Sequence, residues 1–178
     1  FRFGTGSIKI VAIGGLHTGN ESNTAELAKA MINYFNKNYF EIPSQVSLYI
    51  IPIANPDGYY NKSHKNANNV DLNRNWKAKD WKSQAIHTGL TVNGGSSPLS
   101  EPETSSLYSF LTSLRPDLTF VWHSRGALVE DNNIGNADNA AGIYARSTGY
   151  KQIEKWTAYP ITGQFIDSMA EVGIPAFE

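Results

Sequence analysis

Short apolar strands alternate with helix-forming stretches along this chain, and this alternation is the feature that most constrains its fold. Residues 8–13, 46–54 and 118–122 are nearly continuous runs of apolar residues, which is typical of buried strands. Between them, residues 25–34 have helical periodicity, and residues 101–114 have an acidic first turn that suits the helix dipole. Alternating strands and helices favour a sheet covered by helices. We predict a three-layer α/β/α domain with a mixed, mainly parallel sheet.

Further elements are predicted in the same single domain, residues 1–178. Residues 140–150 and 165–172 are predicted helices, and residues 174–177 begin another strand. The segment 59–98 has no periodic pattern and is rich in Asn, Lys, Gly, Ser and Trp. Because a structureless stretch of this length inside a compact domain is usually functional, we expect this segment to contribute to a site.

Composition excludes several classes of function. The chain has 15 basic and 16 acidic residues, so its charge predicts neither a nucleic-acid partner nor an anionic membrane surface. No apolar run is long enough to span a bilayer. The chain has no cysteine, so any metal must be held by His, Asp or Glu. The high content of Asn, Gly, Ser and aromatic residues with few charges favours a secreted or periplasmic location.

Two histidines follow predicted strands closely. His17 comes after the first strand and His123 directly after the third, while Glu21 lies four residues beyond His17 with Gly19 between them. Ligands in such sheets bind at the carboxyl ends of the strands, and a hydrolytic zinc takes three N or O ligands with a fourth position for water. A structural histidine beside a chance glutamate would give the same spacing. From spacing alone, the metal site therefore stays one of two interpretations.

Five segments together resemble one family. GGLHTGNESNT, IIPIANPDG, NANNVDLNRNW, GGSSPLSEPET and VWHS are similar, in this order, to segments of zinc carboxypeptidases of the carboxypeptidase A type, with the spacing of a bacterial branch. The block DLNRN by itself would also suit the related aspartoacylase-like deacylases. The resemblance implies a zinc carboxypeptidase-like fold and one zinc ion per chain.

The resemblance also implies the metal ligands. His17, Glu21 and His123 match the family's zinc ligands. Three residues separate the first two ligands here, where the best-known members have two, and Gly19 could absorb the extra residue.

Four further residues match substrate-binding positions of the family. Asn73 and Arg74 match the pair that holds the terminal carboxylate of the substrate, and a guanidinium does bind a carboxylate with two hydrogen bonds. Tyr159 matches a mobile tyrosine that closes over the substrate. Ile166 falls near the base of the side-chain pocket, which favours apolar or aromatic C-terminal residues, whereas a shift of one residue to Asp167 would favour Lys or Arg. As alternatives, Asn73 could cap a turn, Arg74 could form a surface ion pair and Tyr159 could be an ordinary half-buried aromatic side chain.

The chain departs from the family at two positions. A second arginine that polarises the scissile carbonyl has no clear counterpart, although His64, Lys65 and Arg125 lie near the expected place. The family's general base is a glutamate that the count from Gly173 puts at position 180 or 181. Glu178 is the alternative base, and a chain that ends before the true base should bind zinc but have little peptidase activity.

The expected function is that of a zinc metallocarboxypeptidase, which removes the C-terminal residue of a peptide by means of a zinc-activated water. The expected partner is a peptide with a free C-terminal carboxylate, and the expected state is a monomer. One alternative is a zinc amidohydrolase that acts on N-acyl amino acids or cell-wall peptides. The other is a non-catalytic binding domain of the same fold, which the missing second arginine and general base would favour.

Overall fold

A computed structural model describes residues 1–178, with nine strands and five helices. The strands are β1 Arg2–Phe3, β2 Ile8–Ile13, β3 Val46–Ile51, β4 Gln84–His87, β5 Leu90–Asn93, β6 Leu118–Val121, β7 Leu128–Glu130, β8 Lys151–Ile153 and β9 Ala176–Phe177. The helices are α1 Asn23–Lys37, α2 Pro56–Asn61, α3 Pro102–Leu114, α4 Ala137–Thr148 and α5 Phe165–Glu171.

The main sheet has five strands in the order β1-β3-β2-β6-β9. Strand β1 is antiparallel to β3, and the other three pairings are parallel. The sheet is therefore mixed and mainly parallel, as predicted. An antiparallel pair, β4-β5, and a parallel pair, β7-β8, lie outside it.

Helices cover both faces of the main sheet. Successive side chains of a strand point to opposite faces, so alternate residues of one strand pack against different helices. Val11 and Ile13 of β2 belong to one buried cluster with residues of α3 and α5. Ala12, between them, belongs to a second cluster with residues of α1 and α4. Two apolar cores on opposite sides of one sheet make the predicted three-layer α/β/α architecture.

Element boundaries differ from the prediction where proline and glycine intervene. Strand β3 ends at Ile51 rather than at residue 54, and Pro52 follows, which has no N–H for a sheet hydrogen bond. Helix α4 ends at Thr148 with Gly149 in the left-handed conformation (φ 74°). The sequence prediction missed the short elements α2, β4-β5 and β7-β8, which are too short for a periodic pattern.

The buried side chain of Asn75 organises the long segment 59–98. Its amide donates to the backbone oxygens of Gly94 (2.7 Å) and Ser97 (3.1 Å), and its oxygen accepts from the hydroxyl of Thr104 (2.6 Å) in α3. Val70, Leu72 and Trp76 of the segment also belong to the buried apolar core. Hydrogen bonds and a few apolar side chains without a regular period therefore fix the segment to the domain. The longest helix of the structure has 15 residues, and none of the helices combines the length and apolar character needed to cross a membrane.

Candidate active site

The carboxyl ends of strands β2 and β6 lie side by side at one edge of the main sheet. Ile13 at the end of β2 pairs with Val121 at the end of β6. The chain then continues to His17 after the first strand and to His123 after the second. The parallel register therefore brings together two histidines that lie 106 residues apart, as the sequence predicted.

A tight turn places Glu21 next to His17. Residues Gly19–Glu21 form one 3-10 turn, and Gly19 has φ 67°, a conformation that side chains disfavour. A Cβ atom on Gly19 would lie 2.9 Å from the backbone oxygen of Lys62, so a larger residue does not fit. The glycine thus allows the four-residue step from His17 to Glu21.

The carboxylate of Glu21 faces both predicted histidine ligands. Its Oε1 lies 3.5 Å from Nδ1 of His17, and its Oε2 lies 3.5 Å from Nδ1 of His123. His17 and Glu21 are buried, and Nδ1 of His17 has no hydrogen-bond partner. This set of two imidazole nitrogens and one carboxylate fits a divalent metal ion that prefers N and O ligands. The buried Nδ1 of His17 in particular lacks a partner that such an ion would provide.

Asp71 orients His17 from the other side of the ring. Its Oδ1 lies 2.8 Å from Nε2 of His17, and the carboxylate is fully buried. A proton on Nε2 leaves Nδ1 free to bind a metal, which is the usual arrangement for a metal-binding histidine with a carboxylate partner. Burial opposes the charged form of His17, but Asp71 and Glu21 outweigh this effect and raise the pKa of His17.

His64 also reaches this cluster. Its ring stacks on that of His17 at a centroid distance of 3.8 Å, and its Nδ1 lies 3.4 Å from Oε1 of Glu21. His17, Glu21 and His64 each offer one possible ligand atom, and these three atoms lie within 4.8 Å of one another. His64 is therefore a second candidate for the third ligand beside His123, and burial lowers its pKa, which favours the neutral imidazole.

Glu178 contacts His123 on the side away from Glu21. Its Oε2 lies 3.4 Å from Nε2 of His123, and Nδ2 of Asn73 lies 3.3 Å from the same carboxylate oxygen. Burial lowers the pKa of His123, but the contacts with Glu178 and Glu21 outweigh it and raise this pKa to about 10. The same contacts with His123 and His17 hold the pKa of Glu21 below its ordinary value against the effect of burial.

Arg74 is a buried cation without an ionic partner. It follows Asn73 on the 3-10 turn Leu72–Arg74, which the side chain of Asp71 caps by accepting from the N–H of Asn73 at 3.0 Å. Arg74 is 2% exposed, and its hydrogen bonds go to the backbone oxygens of Asn73 (2.7 Å) and Ile86 (3.2 Å). No carboxylate forms a salt bridge with it. A buried guanidinium without a counter-ion is a candidate binding group for an anion.

The histidine cluster and Arg74 share one cavity with a volume of about 620 Å³. Tyr159 also lines this cavity, where its ring stacks on His87 with centroids 5.8 Å apart. The backbone oxygen of Gly163 accepts a hydrogen bond from the N–H of Trp76 at 3.0 Å. This bond fixes the segment that contains Tyr159 to the chain just after the 3-10 turn of Arg74. The structure therefore brings Asn73, Arg74 and Tyr159 to the wall of the cavity that also contains the predicted metal ligands.

Ile166 lies elsewhere. It is 2% exposed and packs in the apolar cluster between α5 and the sheet, and it is not among the residues that line the cavity. Of the three residues near the expected place of the second arginine, Arg125 lines the cavity, His64 lies beside the candidate metal ligands His17 and Glu21, and Lys65 does neither.

Sequence reasoning missed three features of the site. Asp71 belongs to the DLNRN block, but no sequence pattern indicates its contact with His17. His87 lies on β4, and its Nδ1 is 3.3 Å from Oδ2 of Asp71. Glu130 lines the cavity from β7. These residues lie far from His17 in the sequence, and only Asp71, two residues before Asn73, could have been found from a neighbouring motif.

Comparison with known proteins identifies one family. A family model described as zinc carboxypeptidase matches residues 4–162. Carboxypeptidase SOL1 of Arabidopsis thaliana is 34% identical over 123 residues, which are 66% of this chain and 23% of that protein. Murein peptide amidase A of Escherichia coli strain K12 is 34% identical over 98 residues, which are 50% of this chain and 40% of that protein. The chain therefore matches less than half of the length of either relative.

A solved structure agrees with the fold. The crystal structure of murein-tripeptide amidase MpaA from Escherichia coli O157 superposes with a TM-score of 0.73 at 21% sequence identity. The superposition covers 98% of this chain and 72% of the other chain. At this identity the likeness shows a shared fold.

Proposed function

Because this chain belongs to the zinc carboxypeptidase family, we propose that it is a zinc-dependent metallocarboxypeptidase that hydrolyses the C-terminal residue from peptides. The observation that carries the proposal is the pairing of two binding groups in one cavity. A donor set for a metal ion and the buried, unpaired guanidinium of Arg74 line the same space of about 620 Å³. A metal centre next to an anion-binding group suits a peptide that ends in a free carboxylate.

His17, Glu21 and His123 would hold one zinc ion. When bound, zinc polarises a carbonyl and lowers the pKa of a water molecule. Asp71 holds His17 in the tautomer that presents Nδ1, and its distance of 2.8 Å from Nε2 supports this role. If His123 does not bind the metal ion, His64 would be the third ligand beside His17 and Glu21.

Asn73 and Arg74 would bind the terminal carboxylate of the substrate. Arg74 can give two charge-assisted hydrogen bonds to a carboxylate, and burial strengthens them. The backbone oxygens of Asn73 and Ile86 hold its guanidinium in place before the substrate arrives. Tyr159, which lies against His87 at the cavity wall, would close over the bound residue.

Glu178 would contribute a carboxylate beside the reacting centre. Its Oε2 faces Nε2 of His123, the nitrogen that remains free when Nδ1 binds a metal. This contact suits a carboxylate that orients His123. A general base would move a proton from the attacking water to the leaving amine, and the resemblance places it at position 180 or 181 rather than at Glu178. The contact with His123 leads us to propose orientation of His123 as the role of Glu178.

A second candidate is an amidohydrolase that acts on cell-wall peptides or N-acyl amino acids. The similarity to murein peptide amidase A favours it, because that relative is as identical to this chain as the carboxypeptidase is. The same metal site would serve both reactions, and only the pocket for the substrate would differ.

The test is a comparison of three substrate classes with the zinc-loaded, full-length protein. Blocked dipeptides, N-acyl amino acids and muropeptides are incubated at equal concentration, and the released amino acid is measured by mass spectrometry. The proposal predicts the highest kcat/KM for blocked dipeptides, and loss of this activity on treatment with a chelator. Faster hydrolysis of muropeptides would replace the carboxypeptidase by the amidase, and hydrolysis that survives complete removal of zinc would contradict both.

A further inference from the structure

A second set of possible metal ligands lies beside the first. His64, Asp71 and His87 each offer one ligand atom, and these three atoms lie within 4.8 Å of one another. Oδ2 of Asp71 lies 3.3 Å from Nδ1 of His87 and 3.7 Å from Nε2 of His64. A tetrahedral zinc ion with bonds of about 2.0–2.2 Å keeps its ligand atoms about 3.3–3.6 Å apart. The three side chains therefore have nearly the spacing of a zinc site.

The two carboxylate oxygens of Asp71 face different neighbours. Oδ1 accepts from the backbone N–H of Asn73 at 3.0 Å and lies 2.8 Å from Nε2 of His17. Oδ2 faces His64 and His87. Asp71 is fully buried, and a buried carboxylate oxygen needs a proton donor or a cation. Oδ2 is thus available to a second ion while Oδ1 keeps His17 oriented.

His64 presents a free ring nitrogen to this oxygen. Its Nδ1 lies 3.4 Å from Oε1 of Glu21, whereas its Nε2 is buried and has no hydrogen-bond partner. A neutral imidazole has one N–H and one lone pair, and the hydrogen bond of one nitrogen decides which nitrogen can bind a metal. With the proton on Nδ1, facing Glu21, Nε2 directs its lone pair at Oδ2 of Asp71. A cation between these two acceptors would hold them together.

This second set is separate from the set of His17, Glu21 and His123. The two nitrogens of one imidazole point away from each other, so Nδ1 and Nε2 of His64 cannot bind the same ion. His64 can therefore join the first set through Nδ1 or the second set through Nε2. The nitrogen without a partner is Nε2, which favours the second set.

The hairpin that carries His87 has few other links to the domain. Its strands β4 and β5 pair only with each other, and Ala85 is the single buried residue among their eight. An isolated two-stranded hairpin is only marginally stable in water. Near the tip of the hairpin, the oxygen of Ile86 accepts from Arg74 and the ring of His87 reaches Asp71. An ion held by the second set would tie this tip to the domain.

We propose that His64, Asp71 and His87 bind a second divalent ion of the zinc class, and that this ion fixes the β4-β5 hairpin to the domain. Water would complete its coordination, because the side chains of His64 and His87 are 23% and 27% exposed. The second ion should bind more weakly than the first, since Asp71 shares its charge with His17 and two ligands are open to solvent. Dialysis should therefore remove the second ion and leave the first. The inference does not depend on which substrate is cleaved.

The test counts the zinc ions that the full-length protein binds as free zinc is raised in a metal buffer. Unmutated protein should reach two ions per chain, in two steps of different affinity. His87→Ala and His64→Ala should each stop at one ion, because each substitution removes a ligand of the second ion. Thr91→Ala, at an exposed residue of β5, is the matched control and should still bind two.

Three results of this titration would overturn the inference. Saturation of the unmutated protein at one ion would do so whether or not the variants fold. Two ions in both histidine variants would mean that the second is an adventitious ion only. Loss of both ions in His64→Ala would assign His64 to the first site.

Hydrogen exchange of the β4 and β5 amides tests the effect on the hairpin. Exchange in the unmutated protein should slow about threefold or more between one and two bound ions, because opening of the hairpin then requires loss of the ion. Over the same range of free zinc, exchange in His87→Ala should not change. Equal exchange rates with one and with two ions in the unmutated protein would contradict the proposed link to the hairpin.

Discussion

At the scale of single residues, the two oxygens of Glu21 face Nδ1 of His17 and Nδ1 of His123 at the same distance of 3.5 Å. We expect purified protein to hold about one zinc ion per chain, and His123→Ala to lose most of it, because one of three ligands is removed. Metal content after dialysis, measured by atomic emission, checks this. Stoichiometric zinc in a folded His17→Ala, His123→Ala double variant would rule out the assignment. Retention of zinc in His123→Ala but not in His64→Ala would make His64 the third ligand.

Glu178 allows a second prediction at this scale. Because its carboxylate lies 3.4 Å from Nε2 of His123, we expect Glu178→Gln to lower zinc affinity about 10-fold to 100-fold, as outer partners of metal ligands usually do. Turnover at saturating zinc should then change little. A loss of kcat of about two to four orders of magnitude at full zinc occupancy would instead make Glu178 the general base.

At the scale of structural elements, Asn75 fixes the segment between α2 and α3. Its side chain is fully buried and bonds to Gly94, Ser97 and Thr104. We expect Asn75→Ala to lower the free energy of unfolding by about 2 kcal/mol or more, since several buried polar groups lose their partner. Denaturant unfolding measures the change. Asn61→Ala, an exposed residue at the end of α2, is the control, and an equal effect of both substitutions would contradict this role.

The strand pair of Glu130 and Glu178 predicts a dependence of stability on pH. The pKa of Glu130 is raised from 4.5 to about 7 by burial and by Glu178, so the folded state binds this proton more tightly than the unfolded state. Its contribution to stability is therefore fully present below pH 4.5 and is lost as the pH rises through about 7. Glu130→Gln should remove this loss. Unfolding of both proteins between pH 4.5 and 8 tests it, and parallel stability curves would show that Glu130 titrates normally in the fold.

The sequence predicted the long elements and the meeting of His17 and His123 at one sheet edge because each has a local signal. Strand β2 is a continuous apolar run, and His17 and His123 follow strands whose carboxyl ends meet in any parallel sheet. The position of Glu130 has no such signal. It depends on β7 pairing with β8 and meeting Glu178, contacts between residues 23 to 48 positions apart. The resemblance places Ile166 near a pocket, three residues after Gly163, but α5 turns this side chain into the core.

At the scale of the whole molecule, the sheet edge and the two segments 59–98 and 124–163 enclose one cavity with groups of opposite charge. The candidate metal ligands His17 and His123 follow the ends of β2 and β6, and Arg74 reaches the same space from its 3-10 turn. Removal of Arg74 should therefore affect substrates that carry a terminal carboxylate and leave the fold and the zinc content intact.

The most direct test of the account is hydrolysis of one peptide in two forms, with a free and with an amidated C-terminus, by the zinc-loaded, full-length protein. The C-terminal residue should be released only from the free acid, and Arg74→Ala should lower kcat/KM for it by about 100-fold or more, the effect of losing one partner of a buried charge pair. Arg146→Ala, an exposed arginine on α4, should have no effect. Equal cleavage of the two forms would contradict the claim that the chain is an exopeptidase, and cleavage of neither would favour a non-catalytic binding domain.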